Sequence, residues 1–186
     1  LSKLPIRNGS ATLLDLVRIS DVLVENFSPR VMDNFDLEWE QLQAANPGLI
    51  FVSMPAFGKH GPHRDRVSYG PGIDAMSGLS WLTGYSDGAP LKPGNFYCDQ
   101  NAGLHAAFAV VSALRERERT GRGQTVELAM LEGELQLLGD ALVSYQLNGR
   151  EPTRLGNDHS SMAPHDVFPA RGDDACPGCR AWPWWP

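Results

Sequence analysis

Asp99 and Asn101 stand at the start of a segment with helical spacing, and either side chain could cap that helix by accepting a first-turn N–H. The position has a second use: free N–H groups and the positive end of the helix dipole stabilise an anion held beside them. Cys176-Pro-Gly-Cys179 has the C-x-x-C spacing of redox and zinc sites. A zinc site needs a second pair of ligands, and a redox motif needs a strand before it and a helix after it. The next residues are Arg180-Ala-Trp-Pro-Trp-Trp-Pro186, whose prolines cannot begin a helix, so the pair reads as incidental. Gly70-Pro-Gly72 lacks the third glycine of a dinucleotide loop and comes after a loop, not a strand. His105 falls within the helical segment and suits a packed histidine as well as a site residue.

The elements that must hold these residues read as an α/β unit. Residues 13–17 carry the apolar spacing of a helix end. Asp21-Val-Leu-Val-Glu25 alternates into a short strand, and Asn26-Phe-Ser-Pro29 turns the chain. Residues 31–42 read as one or two helical turns with Met32, Phe35, Leu37 and Leu42 buried. Asn46-Pro-Gly48 stops them, and Leu49-Ile-Phe-Val-Ser53 is a buried strand by its apolar, β-branched content. Strand, helix, strand at this spacing is a parallel βαβ unit. A Gly- and Pro-dense middle over 58–93 holds one helical candidate, 73–82. Two helices are then expected. The first, 103–117, has Leu104, Phe108 and Val111 on one face and Ala106, Ala107 and Ala113 for close packing. The second, 126–147, carries a stripe of Leu128, Leu131, Leu135, Leu138, Leu142 and Tyr145. Thr120-Gly-Arg-Gly-Gln124 is the turn between them, and Arg115-Glu-Arg-Glu-Arg119 reads as a solvated helix end.

The 186 residues are 42% hydrophobic and 20% charged, a globular composition with the size of one domain or part of a larger one. The net charge of −6 disfavours nonspecific nucleic-acid binding, which needs a basic face. No apolar run is long enough to cross a bilayer, and nothing at the start reads as a signal peptide, which favours the cytoplasm, although the chain opens on Leu1. Three cysteines make no disulfide framework. The pattern of a normal domain runs to Gly172-Asp-Asp174. The tryptophan- and proline-rich 175–186 then reads as a frameshift or engineered scar, giving domains 1–174 and 175–186.

The block Cys98-Asp-Gln-Asn-Ala-Gly-Leu-His105, the helix after it, Thr120-Gly-Arg-Gly-Gln124 and 126–130 together resemble the family III CoA-transferases, the CaiB/BaiF family of formyl-CoA, carnitine and bile-acid CoA-transferases. Further anchors fall in register: Asp21-Val-Leu-Val-Glu-Asn-Phe-Ser-Pro29, Asn46-Pro47, Phe57-Gly-x-x-Gly-Pro62, Ser77-Gly78 and Thr83-Gly84. The resemblance runs from about Ile19 to Asp174. It implies a Rossmann-like parallel-sheet large domain, incomplete here, of an interlocked dimer. A first strand with a Gln- and Ala-containing CoA loop would precede this chain, and a second domain would come after it.

The resemblance also implies a chemistry. Asp99 takes the position of the nucleophile, whose carboxylate attacks an acyl-CoA thioester. A mixed anhydride forms, the CoA thiolate returns to make an aspartyl-CoA thioester, and an acceptor acid takes the CoA. A carboxylate suits this work because it is ionised at neutral pH and needs no base to activate it. The CoA-contacting positions carried over are Asn26, Phe27, Tyr69, Gly103 and Met130. Each has a plainer use, as a turn Asn, a core Phe, a half-buried Tyr, a helix-packing Gly and a core Met. CoA enters as substrate, with no metal. The family's phosphate-side Arg is Asn34 here and a Lys two residues before the Tyr is Val67; Arg30, Arg64 and Arg66 could supply the charge. Two alternatives accompany this reading. In a 2-methylacyl-CoA racemase, the catalytic His of the middle loop would fall on Tyr69, a poor base at neutral pH. In a truncated, non-catalytic chain, the protein would act, if at all, by binding a partner.

Overall fold

The computed structural model describes residues 7–167. Cys176, Cys179 and the boundary at 174/175 lie outside the described residues.

The chain forms α1 (Arg7–Arg18), β1 (Val22–Glu25), α2 (Arg30–Asp33), α3 (Trp39–Ala45), β2 (Ile50–Ser53), α4 (Gly70–Met76), α5 (Leu79–Leu82), α6 (Tyr97–Thr120), β3 (Gln124–Glu127), α7 (Met130–Leu135), a 3₁₀ turn (Gln136–Leu138) and α8 (Gly139–Asn148). The three strands make one parallel sheet in the order β1-β2-β3, with Val22 beside Ile50 and Ile50 beside Gln124. β2 is central and all four of its residues are buried. That is what a continuous Ile-Phe-Val run needs, since a parallel strand covered on both faces has no polar side to show. One face buries Phe51 with Leu42, Leu49, Val17, Met32 and Leu37 beneath α1 and α3. The other buries Ile50 and Val52 against Ala106 and Ala113 of α6.

The α/β reading and both expected strands hold. Residues 31–42 make two short helices with Met32, Leu37 and Leu42 buried, but Phe35 is 42% exposed at the turn between them. The 73–82 candidate splits into α4 and α5 because Gly78 takes φ 95°, a left-handed value that ends the helix.

The larger corrections concern the second half. The helix expected over 103–117 spans Tyr97–Thr120, so Asp99 lies inside its first turn and not ahead of it. The cap residue is Phe96, and neither Asp99 nor Asn101 caps. Leu104 and Phe108 are 73% and 77% exposed, and the face that packs is Cys98, Ala102, Ala106 and Ala113. The alanines fit because they let the helix axis lie close to the sheet. The single helix expected over 126–147 is instead β3, α7, the 3₁₀ turn and α8. Leu138 is buried, whereas Leu142 and Tyr145 at its far end are exposed.

Two contacts explain why β3 forms. The Gly123 N–H donates to Pro47 O at 2.8 Å, and a side chain at Gly123 would overlap Leu49 O, so only glycine lets the chain enter the sheet here. Arg117 also departs from the solvated-end expectation. Its guanidinium pairs with Asp21 at 2.8 Å and donates to Gly48 O at 3.0 Å, tying the end of α6 to the starts of β1 and β2. Arg119 pairs with Glu116 on the surface.

Candidate active site

All three parallel strands end on the same edge, and the segments that leave them line one cavity of about 740 Å³. Asn26, Phe27, Ser28 and Pro29 come from the turn after β1, Ala56 from the loop after β2, and Met130 from the segment after β3. Residues 66–71 and Ile73 of the loop into α4, with Phe96 and Asp99 at the start of α6, complete the wall. Outside the carboxyl ends of the strands is where open α/β sheets bind ligands, because the chain must leave the sheet there and its loops diverge.

Each wall segment is fixed from below. Glu25, buried at the end of β1, accepts the Ser53 hydroxyl on one carboxylate oxygen and the Phe27 N–H at 2.7 Å on the other. This holds the Asn26–Pro29 turn over the sheet edge. The Met130 N–H donates to Pro55 O at 3.2 Å, continuing the pairing past the ends of β2 and β3. Met130 is buried among Ile73, Cys98 and Ala102, so it packs the core and lines the cavity at once.

Asp99 is exposed to the cavity. The Cys98 thiol donates to its Oδ1 at 3.3 Å and to Gly70 O at 3.6 Å. Burial, that hydrogen bond and the nearby charges of Asp99, Asp74 and Glu134 push the Cys98 thiol up, so it serves as a protonated donor and not as a nucleophile. Gly70 makes room on the other side: a Cβ there would lie 3.0 Å from Asp99 Oδ2 and 3.1 Å from Phe96 Cβ.

The structure therefore brings together Asn26, Phe27, Tyr69, Asp99 and Met130 of the residues expected from sequence. Tyr69 is 84% exposed, and with Phe27 and Phe96 it gives the mouth three exposed aromatic rings. Gly103 lies one helical turn after Asp99, is exposed, and has open space where a side chain would go, so it packs against nothing among the described residues. His105 is exposed on α6 with Nδ1 against Asn101 O at 2.9 Å, so it is neither a core residue nor part of the wall. Arg66 lines the cavity, whereas Arg30 and Arg64 both approach Asp65, at 3.9 and 3.6 Å.

Sequence reasoning missed Glu25, Gly70, Phe96 and two acids behind Asp99. Asp74 of α4 and Glu134 of α7 are fully buried, and three of their four carboxylate oxygens have no hydrogen-bond donor. Burial, then the carboxyl of Asp74 beside it, raises Glu134 to about 7, against a partial offset from the Ser77 hydroxyl. Glu134 shares a stripe with Met130, Leu131 and Leu138, which was the available signal of a buried acid. Among the described residues no group of three His, Cys, Asp or Glu side chains is placed to hold a metal ion, and no helix is long and apolar enough to cross a membrane.

A parallel α/β sheet with a carboxylate on the cavity at its strand ends is the class of fold and site seen here, and comparison with known proteins defines the family. The model of CoA-transferase family III matches residues 4–179, and the chain belongs to that family. It is 41% identical over 162 residues to the acetyl-CoA:oxalate CoA-transferase of Acetobacter aceti, covering 87% of this chain and 42% of that protein. It is 36% identical over 182 residues to the formyl-CoA:oxalate CoA-transferase of Bradyrhizobium sp. (strain ORS 278), covering 94% and 43%. A CaiB/BaiF family protein from Brucella suis superposes with a TM-score of 0.80 at 36% identity, over 88% of this chain and 44% of that one. The chain thus spans about two fifths of the length of these relatives.

Proposed function

We propose that this chain carries the nucleophile of a family III CoA-transferase, moving CoA between an acyl-CoA thioester and a carboxylic acid, with Asp99 as the group that is acylated. The observation that carries the proposal is the placement of Asp99 on the wall of the cavity at the strand ends, opposite the Asn26–Pro29 turn. In the reaction the Asp99 carboxylate adds to the thioester carbonyl, the C–S bond breaks, and CoA leaves as thiolate with a mixed anhydride formed. The thiolate then attacks the Asp99 carbonyl, releasing the donor acid as carboxylate and leaving an aspartyl-CoA thioester. The acceptor carboxylate reverses the sequence and restores Asp99. No proton enters or leaves, so a carboxylate with hydrogen-bond donors suffices. The Cys98 thiol is such a donor, placed on Asp99 Oδ1.

Phe27, Tyr69, Phe96 and Met130 offer apolar and aromatic surface for the pantetheine and adenine parts of CoA. Asn26 supplies an amide in the same turn. Arg66 takes the phosphate charge that Asn34 and Val67 lack. Gly103, open and one turn from Asp99, leaves space for CoA or for a second copy of the chain. The exposed Leu104, Phe108 and Val111 face of α6 supports a homodimer, in which such a surface is covered. We assign residues 1–174 to the large domain, 175–186 to a tail of different origin, and the protein to the cytoplasm.

Among the described residues, Tyr69 stands at the cavity wall where the racemase reading calls for a histidine, and a tyrosine is a poor base at neutral pH. Titration of the purified chain with CoA tests the binding half of the proposal. Binding that weakens at least tenfold in Arg66→Ala and in Tyr69→Ala supports it. A folded chain that binds no CoA leaves only the non-catalytic alternative.

A further inference from the structure

α6 starts without a cap of its own: Phe96 offers no side-chain acceptor, and the N–H groups of a helix's first turn have no partner inside the helix. Oδ1 of Asp74, a residue of α4, accepts the Cys98 N–H at 3.3 Å. Asp74 therefore caps α6 from another helix, through the residue next to Asp99. The other oxygen of Asp74 and both oxygens of Glu134 are buried without a donor, and Asn101 Nδ2, close to Gly133, is buried without an acceptor. Two ionised carboxylates sealed together would leave two uncompensated charges in the protein interior, which costs far more than one carboxyl–carboxylate hydrogen bond.

We propose that Asp74 and Glu134 share one proton and act as a positioning pair for Asp99: Glu134 donates to Asp74, and Asp74 holds the first turn of α6. The proposal rests on Asp99 as the reacting group. The ionisable groups facing Glu134 are Asp74 from α4 and Asp99 and Cys98 from α6, with the Ser77 hydroxyl beside them. All the charges among them are negative, so each raises the cost of a second charge on the pair. The shared proton leaves near pH 7. Above that pH a second negative charge appears behind Asp99 and opposes the oxyanion that builds on the thioester carbonyl during attack.

Two measurements on the whole chain test this. The first follows the Asp99 side-chain carboxyl carbon by NMR in ¹³C-aspartate-labelled protein, assigned by its loss in Asp99→Asn. The wild type should show an inflection near pH 7 that is absent in Glu134→Gln, where the amide keeps a donor toward Asp74 but cannot titrate. The second compares melting temperatures across pH. Glu134 binds its proton more tightly folded than unfolded, so wild-type stability relative to Glu134→Gln should fall from pH 4.5 to about 7 and then level off. A wild-type carbon signal that is flat from pH 6 to 8, an inflection that survives in Glu134→Gln, or parallel melting curves would overturn the pair. For the cap, amide exchange at Cys98 should quicken at least tenfold in Asp74→Ala and stay slow in Asp74→Asn; equal rates in both overturn it. None of these readouts needs CoA, so a shared proton beside an Asp99 that forms no adduct would leave the pair standing and remove the nucleophile reading.

Discussion

β2 and the junction of α4, α6 and α7 are equally buried, and they are built on opposite principles. In β2, Ile50, Phe51 and Val52 carry no polar side chain, and Ser53, its one polar residue, donates to Glu25. At the junction Asp74 and Glu134 sit at zero exposure with three oxygens lacking a donor. Apolar burial lowers the free energy of the fold directly, whereas a buried acid raises it and persists where it holds something in place. The sheet supplies the scaffold, and the junction borders Asp99, the one carboxylate among the described residues that lines the cavity.

Substitutions can break or sharpen this contrast. The largest effect is expected at Phe51, 1% exposed and packed between Leu42, Leu49 and Val17. Phe51→Ala should cost about 3–5 kcal/mol of unfolding free energy, read by urea denaturation. Glu25→Ala comes next. It leaves the Phe27 N–H and the Ser53 hydroxyl unpaired, a loss of about 1–3 kcal/mol, and it should also weaken CoA binding by freeing the Asn26–Pro29 turn. Arg117→Ala removes bonds to Asp21 and Gly48 at the opposite edge of the sheet and should cost about 1–2 kcal/mol while leaving CoA binding unchanged. The smallest change in stability is expected at Phe108, exposed on α6. Phe108→Ser should alter unfolding by no more than about 0.5 kcal/mol. In the proposed homodimer this face is covered, so sedimentation should show Phe108→Ser weakening self-association, and self-association unchanged by it would exclude this face as the interface.

The sequence revealed those parts of the molecule whose structure is decided locally. Val22 to Glu25 and Ile50 to Ser53 were legible because apolar, β-branched runs bounded by Asn-Pro-Gly and Asn-Phe-Ser-Pro have one reading. β3 was not, because Leu128 and Leu131 begin a helical stripe just after it, and the Ile50 to Gln124 register that makes 124–127 a strand is set 74 residues away. The start of α6 was hidden for the same reason, since its cap, Asp74, lies in another helix. The exposed face of α6 was misread because apolar spacing shows which residues share a face and not which face is covered. Family resemblance, not local pattern, singled out Asn26, Phe27, Tyr69, Gly103 and Met130 with Asp99, and all but Gly103 line one cavity. Glu25 stands inside one of the family anchors and Glu134 inside a helical stripe, but the burial and partners of both come only with the fold.

The central claim is that Asp99 becomes acylated. Folded chain incubated with an acyl-CoA and quenched with hydroxylamine, or with borohydride, should yield an Asp99 peptide bearing the hydroxamate or the reduced side chain by mass spectrometry, and Asp99→Asn should yield none. An unmodified Asp99 in a folded sample that binds CoA would contradict the account.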